Sequence, residues 1–353
     1  LNYAETSTYE RGFINAGYES APWNKGADLF VINTCSVTEH ADKKSRNIIR
    51  KLHKVSPDAT IVVTGCYAQL KKAEVEALEG VSLVFGANEK SSLVTTTLDY
   101  IAQRTEFKPT TSPQEETFAA YSSGEERTRS FLKVQDGCDN FCAYCTVPYA
   151  RGRSRSISID KAVSEAKKIA ASGVKEIVLT GVNTGDFGRK TGESFLDLLK
   201  ALNDVQGIER YRISSIEPNL LTDDIVDWIA SGTKFLPHFH IPLQSGSDTI
   251  LKDVGRKYTT EFFANKIAYI REKMNPKPGE LNADGSKKPD VFFGIDVIAG
   301  LPGETDELFL ETYNFLKDRI KPAFIHSFPY SRRAGTRSAA RKDQVQDCVK
   351  TKR

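Results

Sequence analysis

The chain has 353 residues, of which 39% are hydrophobic and 27% charged, with six cysteines and a formal net charge of +3. That length can bury a large core without staples, so a disulfide scaffold is excluded, and the net charge is too small to argue nucleic-acid binding alone. The longest apolar runs, 29–32 and 291–298, fall far short of the roughly 20 residues of a membrane span. No charged-then-apolar leader opens the chain, and a cytosolic, reducing location is expected.

In chain order, a helix is expected over 2–15, already under way at Leu1. The strand that should feed it belongs ahead of Leu1, so the chain is read as trimmed there, and again at Arg353 in a basic stretch without a stop signal. Short apolar strands over 29–32, 60–63 and 83–85 alternate with amphipathic helices such as 39–55, which argues for a doubly wound parallel sheet over residues 1–103. A stretch rich in Thr, Ser, Glu and Pro over 104–127 is expected as a linker. From 128 to 338, strand and helix repeat about six times, with strands at 131–135, 176–180, 211–215, 238–243, 291–298 and 324–330. Helices are expected between them at 159–171, 195–203, 260–273 and 305–318. Six such repeats make an open (β/α)6 partial barrel. Residues 275–290 are expected as a solvent loop and 339–353 as a basic tail.

The loop after the first barrel strand reads Cys138-Asp-Asn-Phe-Cys142-Ala-Tyr-Cys145. This C-x3-C-x2-C spacing offers three thiolates and withholds a fourth. A zinc site usually closes with four protein ligands, and no further Cys or nearby His follows Cys145. A [4Fe–4S] cube held by three cysteines keeps one iron open for a small molecule.

Polar and glycine residues gather at the carboxyl ends of the barrel strands, where β/α barrels place their binding groups. These are Gly181, Asn183 and Gly185, then Ser215 and Glu217, Gln244 and Ser245, and Gly300, Pro302 and Gly303. Cys35 and Cys66 leave the carboxyl ends of two strands of the first sheet, the ligand crevice of open α/β sheets. Basic residues cluster on the helix over 39–55, at Arg151, Arg153 and Arg155, and from Arg332 and Arg333 to Arg353; such patches suit a phosphate backbone. The five histidines are dispersed, and His238 and His240, sharing one strand face, are expected as structural or substrate-lining groups. Cys348 has no partners in sequence and is read as a bystander.

The cysteine triad with Tyr144 just before its third Cys resembles the radical S-adenosylmethionine (SAM) enzymes. Further matches run along essentially the whole chain: Leu1-Asn-Tyr-Ala-Glu-Thr-Ser7, Val-Ile-Asn-Thr-Cys35-Ser-Val-Thr, Val-Val-Thr-Gly-Cys66-Tyr-Ala-Gln, Ser-Ser-Ile-Glu217-Pro, Ile-Pro-Leu-Gln244-Ser-Gly-Ser-Asp and Phe-Pro-Tyr-Ser331. In these it is similar to the methylthiotransferase family, which carries a flavodoxin-like N-terminal domain. Its wording most resembles the members acting on threonylcarbamoyladenosine. The resemblance implies conversion of N6-threonylcarbamoyladenosine at position 37 of tRNA, beside the anticodon, to its 2-methylthio derivative. It implies two [4Fe–4S] clusters, one at Cys138, Cys142 and Cys145 binding SAM, and an auxiliary one at Cys35, Cys66 and a Cys expected just before Leu1. For SAM it implies Tyr144, Gly181, Asn183, Ser215, Glu217, Gln244, Gly300 and Pro302; for the tRNA anticodon stem-loop, Arg151, Arg153, Arg155, Arg332 and Arg333. The carboxylate of the threonylcarbamoyl group calls for a basic partner, expected at Arg332 or Arg333. An electron donor such as flavodoxin and a C-terminal RNA-binding domain beyond Arg353 are also implied. The alternatives are a methylthiotransferase for isopentenyladenosine or for an aspartate of a ribosomal protein, and, from another class, a non-enzymatic iron–sulfur redox sensor or RNA-binding protein.

Overall fold

A computed structural model describes residues 1–103, 128–281 and 284–353. The expected linker lies outside them. The first unit is a parallel sheet of Leu29–Thr34, Thr60–Gly65 and Val81–Phe85, in that order. Ile61, Val62 and Val63 are fully buried because helices cover both faces. Ile49 and Leu52 of helix Glu39–Val55, with Tyr67 and Val75, pack on one side, and Tyr9, Phe13 and Leu93 on the other. The helix over Glu39–Val55 starts where Thr38 accepts a hydrogen bond from the Ala41 backbone N–H, carries Glu39 and Asp42 in its first turn, and ends with His53 and Lys54. Cap and dipole complement the sequence at both ends.

The second unit has six parallel strands in chain order: Arg129–Lys133, Glu176–Thr180, Arg210–Ile213, His238–Gln244, Phe292–Ala299 and Phe324–Pro329. The first three and the last three form two ladders, bridged where Ser215 pairs with His240. Among the described residues the first and last strands do not pair with each other, so the barrel is open at one side. Strand alternation sends Phe239, Ile241 and Leu243 outward into the helices, where they are fully buried, and leaves His238, His240 and Pro242 facing the barrel interior. The main core lies between strands and helices, with Ile169, Leu198, Leu199, Phe263 and Ile267 as its helical half; each such side chain contributes about 1.5–3 kcal/mol by burial. The expected helix over 305–318 is α-helical only from Asp306–Asn314 and continues as a π-helical turn, Phe315–Ile320.

The tail is not a free basic segment. Arg353 binds Glu304 and Asp306, both at 2.6 Å, and the Lys350 side chain is buried against the barrel. Among the described residues, no helix is long and apolar enough to cross a membrane.

Candidate functional site

The cysteine loop is held at its base. Gln135–Asp136 pairs antiparallel with Arg155–Ser156, and the Gln135 Nε2 amide donates to the Gly137 carbonyl at 2.8 Å and to Ser154 Oγ at 3.0 Å. Cys138 N–H donates to the Gly152 carbonyl, Ala143 N–H to the Val254 carbonyl and Cys145 N–H to the Cys142 carbonyl. Gly137 sits at φ +70°, and a Cβ there would lie 2.1 Å from the Arg153 carbonyl oxygen, so only glycine closes this turn. Phe141 and Gln244 also have positive φ, 49° and 71°, costly for residues with side chains. Both lie at this site.

Cys138, Cys142 and Cys145 line one cavity of about 310 Å³ with Tyr144, Asn183, Ser215, Glu217, Gln244, Arg256 and Asp296. The polar residues expected at the second, third and fourth strand ends therefore converge on the cysteine loop. Glu217 is fixed from three sides. Asn140 Nδ2 donates to both its carboxylate oxygens at 2.9 and 3.0 Å, Arg256 Nη1 lies 2.8 Å away, and its backbone N–H donates to Asn183 Oδ1. Arg256 Nη1 is also 3.5 Å from Cys142 Sγ, and its side chain is only 6% exposed, which places an enclosed cation against the thiol set.

Among the described residues, the ligand atoms of His240, Asp296 and His326 lie within 4.8 Å of one another, a spacing the three loop thiols do not meet. A single zinc ion, with Zn–S near 2.3 Å, would draw its thiolates to about 3.8 Å of each other. The wider set fits a cluster whose cysteines each bind a different iron. Burial pushes the Cys138 thiol up to about 11 and Cys145 up to about 12, with Cys142 adding to both; binding iron displaces those protons.

Gly300 and Pro302 are not part of this cavity. A Cβ at Gly300 would meet the Lys350 side chain at 2.3 Å, so its open side faces the tail helix rather than a nucleoside, and Pro302 lies on a separate surface depression with Asp253 and Arg341. Gly181 abuts the Gln135 side chain at the base of the cysteine loop and does not line the cavity.

Cys35 and Cys66 follow Thr34 and Gly65, which are register partners on adjacent parallel strands, so the thiols leave the sheet at one level. Gly65 has φ +99° and a Cβ would come 2.2 Å from the Thr34 carbonyl oxygen, so glycine permits this approach. Asn2, at the start of the first helix, reaches the same end through the Thr34 carbonyl. Val37 and Thr38, just after Cys35, line the cavity of the loop cysteines.

The arginine expectations divide. Arg151 is buried, with Nη1 at 3.0 Å from Asp136 and 3.3 Å from Glu5, and Nη2 donating to Asn2 Oδ1. Arg333 is buried too, binding Ser36 Oγ at 2.6 Å and Asp42 at 3.0 Å. Arg155 binds Asp136 and the Arg151 carbonyl. Contrary to expectation, Arg151 and Arg333 are committed to joining the two units and do not present to a phosphate backbone. Arg153, 67% exposed and stacked 4.5 Å over Phe141, and Arg332, exposed, still face outward. Residues that sequence reasoning missed are Asn140, Arg256 and Asp296. Asn140 had a signal in lying between two of the cysteines; Arg256 and Asp296 reach the site through long-range packing that leaves no local pattern.

The chain matches the radical SAM superfamily over residues 132–316 and the uncharacterized protein family UPF0004 over residues 1–86. It is 40% identical to the threonylcarbamoyladenosine tRNA methylthiotransferase MtaB of Bacillus subtilis (strain 168), over 100% of this chain and 76% of that protein. It is also 34% identical, over 100% of this chain and 79% of that one, to the tRNA-2-methylthio-N(6)-dimethylallyladenosine synthase of Carboxydothermus hydrogenoformans. Among solved structures, the radical S-adenosylmethionine methyltransferase TsrM from Kitasatospora setae aligns with a TM-score of 0.63 over 96% of this chain and 73% of that one, at 15% identity, a likeness of fold.

Proposed function

This chain belongs to the methylthiotransferase family of radical SAM enzymes, and from that premise we infer that it converts N6-threonylcarbamoyladenosine at position 37 of tRNA to its 2-methylthio derivative. Relatives named for this substrate include proteins 40% and 36% identical along the whole chain. Cys138, Cys142 and Cys145 would hold a [4Fe–4S] cluster, which would supply reductive cleavage of bound SAM with electrons from a donor such as flavodoxin. The chain's own residues orient and shield. Tyr144 supports the adenine, Asn183, Ser215 and Gln244 bind ribose hydroxyls and the amino-acid moiety, and Glu217, held by Asn140 and Arg256, presents a fixed carboxylate. Cys35 and Cys66 provide two ligands of a second cluster that presents the sulfur.

The observation that carries this reading is the shared cavity: Val37 and Thr38, next to Cys35, line it together with all three loop cysteines. A sulfur source held at Cys35 and Cys66 would stand within a few residues of the space that the loop cysteines line, and substitution at one carbon requires the two to meet there. Anaerobic reconstitution with threonylcarbamoyladenosine tRNA and mass spectrometry of the products tests it. Both 5′-deoxyadenosine and 2-methylthio tRNA are expected. SAM cleavage with no tRNA product would discard the substrate, and neither product from a cluster-loaded protein would bring the redox sensor forward.

A further inference from the structure

His240, Asp296 and His326 stand side by side on the fourth, fifth and sixth barrel strands, facing the interior. His240 Nε2 lies 2.8 Å from Asp296 Oδ2, and His326 Nδ1 lies 3.2 Å from Asp296 Oδ1. Strand register holds them there: Asp296 is opposite His326, and His240 is opposite Gly294. A Cβ at Gly294 would lie 3.3 Å from His240 Nδ1, so glycine leaves that ring its space. Asp296 lines the cavity of the loop cysteines, whereas the His326 side chain is 47% exposed. The trio therefore runs from the reaction space to the open side of the barrel. Its neighbours there are apolar and exposed: Phe324, whose edge meets the His326 ring at 4.6 Å, and Phe328.

The N6 substituent of threonylcarbamoyladenosine carries urea N–H groups, a hydroxyl and a carboxylate. Arg333, expected to meet that carboxylate, is buried on Asp42 and Ser36; Arg332, turned outward with its Nε on the Ala339 carbonyl, does not line the cavity, and Arg256 is bound to Glu217. Resting on the function inferred above, we propose that His240, Asp296 and His326 form the reader of this polar substituent, with Asp296 accepting from a urea N–H and the imidazoles donating to the hydroxyl and carboxylate. A dimethylallyl substituent offers no partner to any of the three. A site built to hydrogen-bond its substrate rejects an analogue that lacks the group, because its own polar atoms are then left unpaired. Two imidazoles and one carboxylate also form a known ligand set for a divalent metal. Here each imidazole spends one ring nitrogen on Asp296 and keeps the other for a ligand, and the substrate reading additionally accounts for Asp296 lining the reaction cavity.

The test compares His326→Phe and His326→Gln with wild type, each loaded with clusters, on tRNA bearing threonylcarbamoyl- or dimethylallyladenosine. Iron content at the wild-type level certifies folding. The phenylalanine variant is expected to raise KM for the threonylcarbamoyl tRNA about tenfold or more, and to lower discrimination against the dimethylallyl tRNA by a similar factor. Glutamine, which keeps a donor, is expected to restore part of both. Unchanged discrimination in the phenylalanine variant would overturn the reader alone. So would one equivalent of zinc per wild-type chain that the variant lacks, since the trio would then be a metal site. Wild-type turnover of only the dimethylallyl tRNA would overturn the reader together with the function it rests on.

Discussion

At the scale of single residues, the site depends on groups that hold the cysteine loop rather than on the cysteines alone. Gly137→Ala forces a Cβ to within 2.1 Å of the Arg153 carbonyl oxygen and adds strain at φ +70°. The expected result is a chain that folds but retains fewer irons per protein after reconstitution, read by iron analysis against wild type. Arg256→Met removes the cation 2.8 Å from the buried Glu217 carboxylate and 3.5 Å from Cys142 Sγ. Breaking one partner of a buried pair costs about 3–5 kcal/mol, so this variant is expected to melt measurably lower by calorimetry. Double substitution with Glu217→Gln is expected to recover much of that loss. The cysteines, Asn183, Glu217 and Gln244 were legible in the sequence because motif and strand-end position both marked them. Gly300 and Pro302 carried the same positional mark, yet the tail helix occupies the space beside Gly300. Position along a strand says which end a residue occupies; what lies across from it depends on segments far along the chain.

At the scale of elements, the strands and helices read from apolar runs and periodicity appear within two residues of their expected bounds, except the helix expected over 305–318, whose α-helical part ends at Asn314. The helices Glu39–Val55, Ile159–Ala171 and Phe195–Asn203 match at both ends, since a Thr or Ser caps each start. What periodicity did not show is how the first helix, Asn2–Asn15, docks on the barrel. Its Glu5, only 3% exposed, binds Lys90 at 2.7 Å, Lys133 at 3.0 Å and Arg151 at 3.3 Å. Burial alone would push the Glu5 carboxyl up, but Lys133, Lys90 and Arg151 together hold it well below the usual range. A depressed carboxyl stabilises the fold above its unfolded value, near 4.3 for Glu, and loses that contribution as pH falls toward its folded value. Wild-type stability is therefore expected to fall more steeply below about pH 4.3 than that of Glu5→Gln. At neutral pH the variant, with three cations left facing no carboxylate at that position, is expected to be the less stable. Denaturant midpoints taken across pH check both statements.

At the scale of the whole molecule, the small net charge conceals an uneven use of arginine and lysine. Arg151, Arg333, Lys350 and Arg353 are spent inside the protein, on joints between units or on the tail. Lys43, Lys44, Arg50, Lys51 and Lys54 remain exposed on the helix Glu39–Val55, whose cap residue Thr38 lines the cavity. If this helix lies along the tRNA backbone, replacing Lys43 and Lys44 by Gln weakens binding across tRNAs alike. It also lowers the slope of log affinity against log salt by about 1.4–1.8, from the loss of two phosphate contacts at 0.7–0.9 each. A filter-binding salt series measures that slope, and an unchanged slope would remove this helix from the interface.

The ion network that ties Glu5 and Lys90 to Lys133, Asp136 and Arg151 also bears on how such proteins can be recombined. Two of its charges belong to the first unit and three to the second, all but the half-buried Lys90 enclosed where the two meet. A chimera whose first unit lacks the counterparts of Glu5 and Lys90 strands unmatched charge at the seam unless Lys133, Asp136 and Arg151 are exchanged along with it. The two units are separable as stretches of sequence but, for this chain, are engineered as one piece.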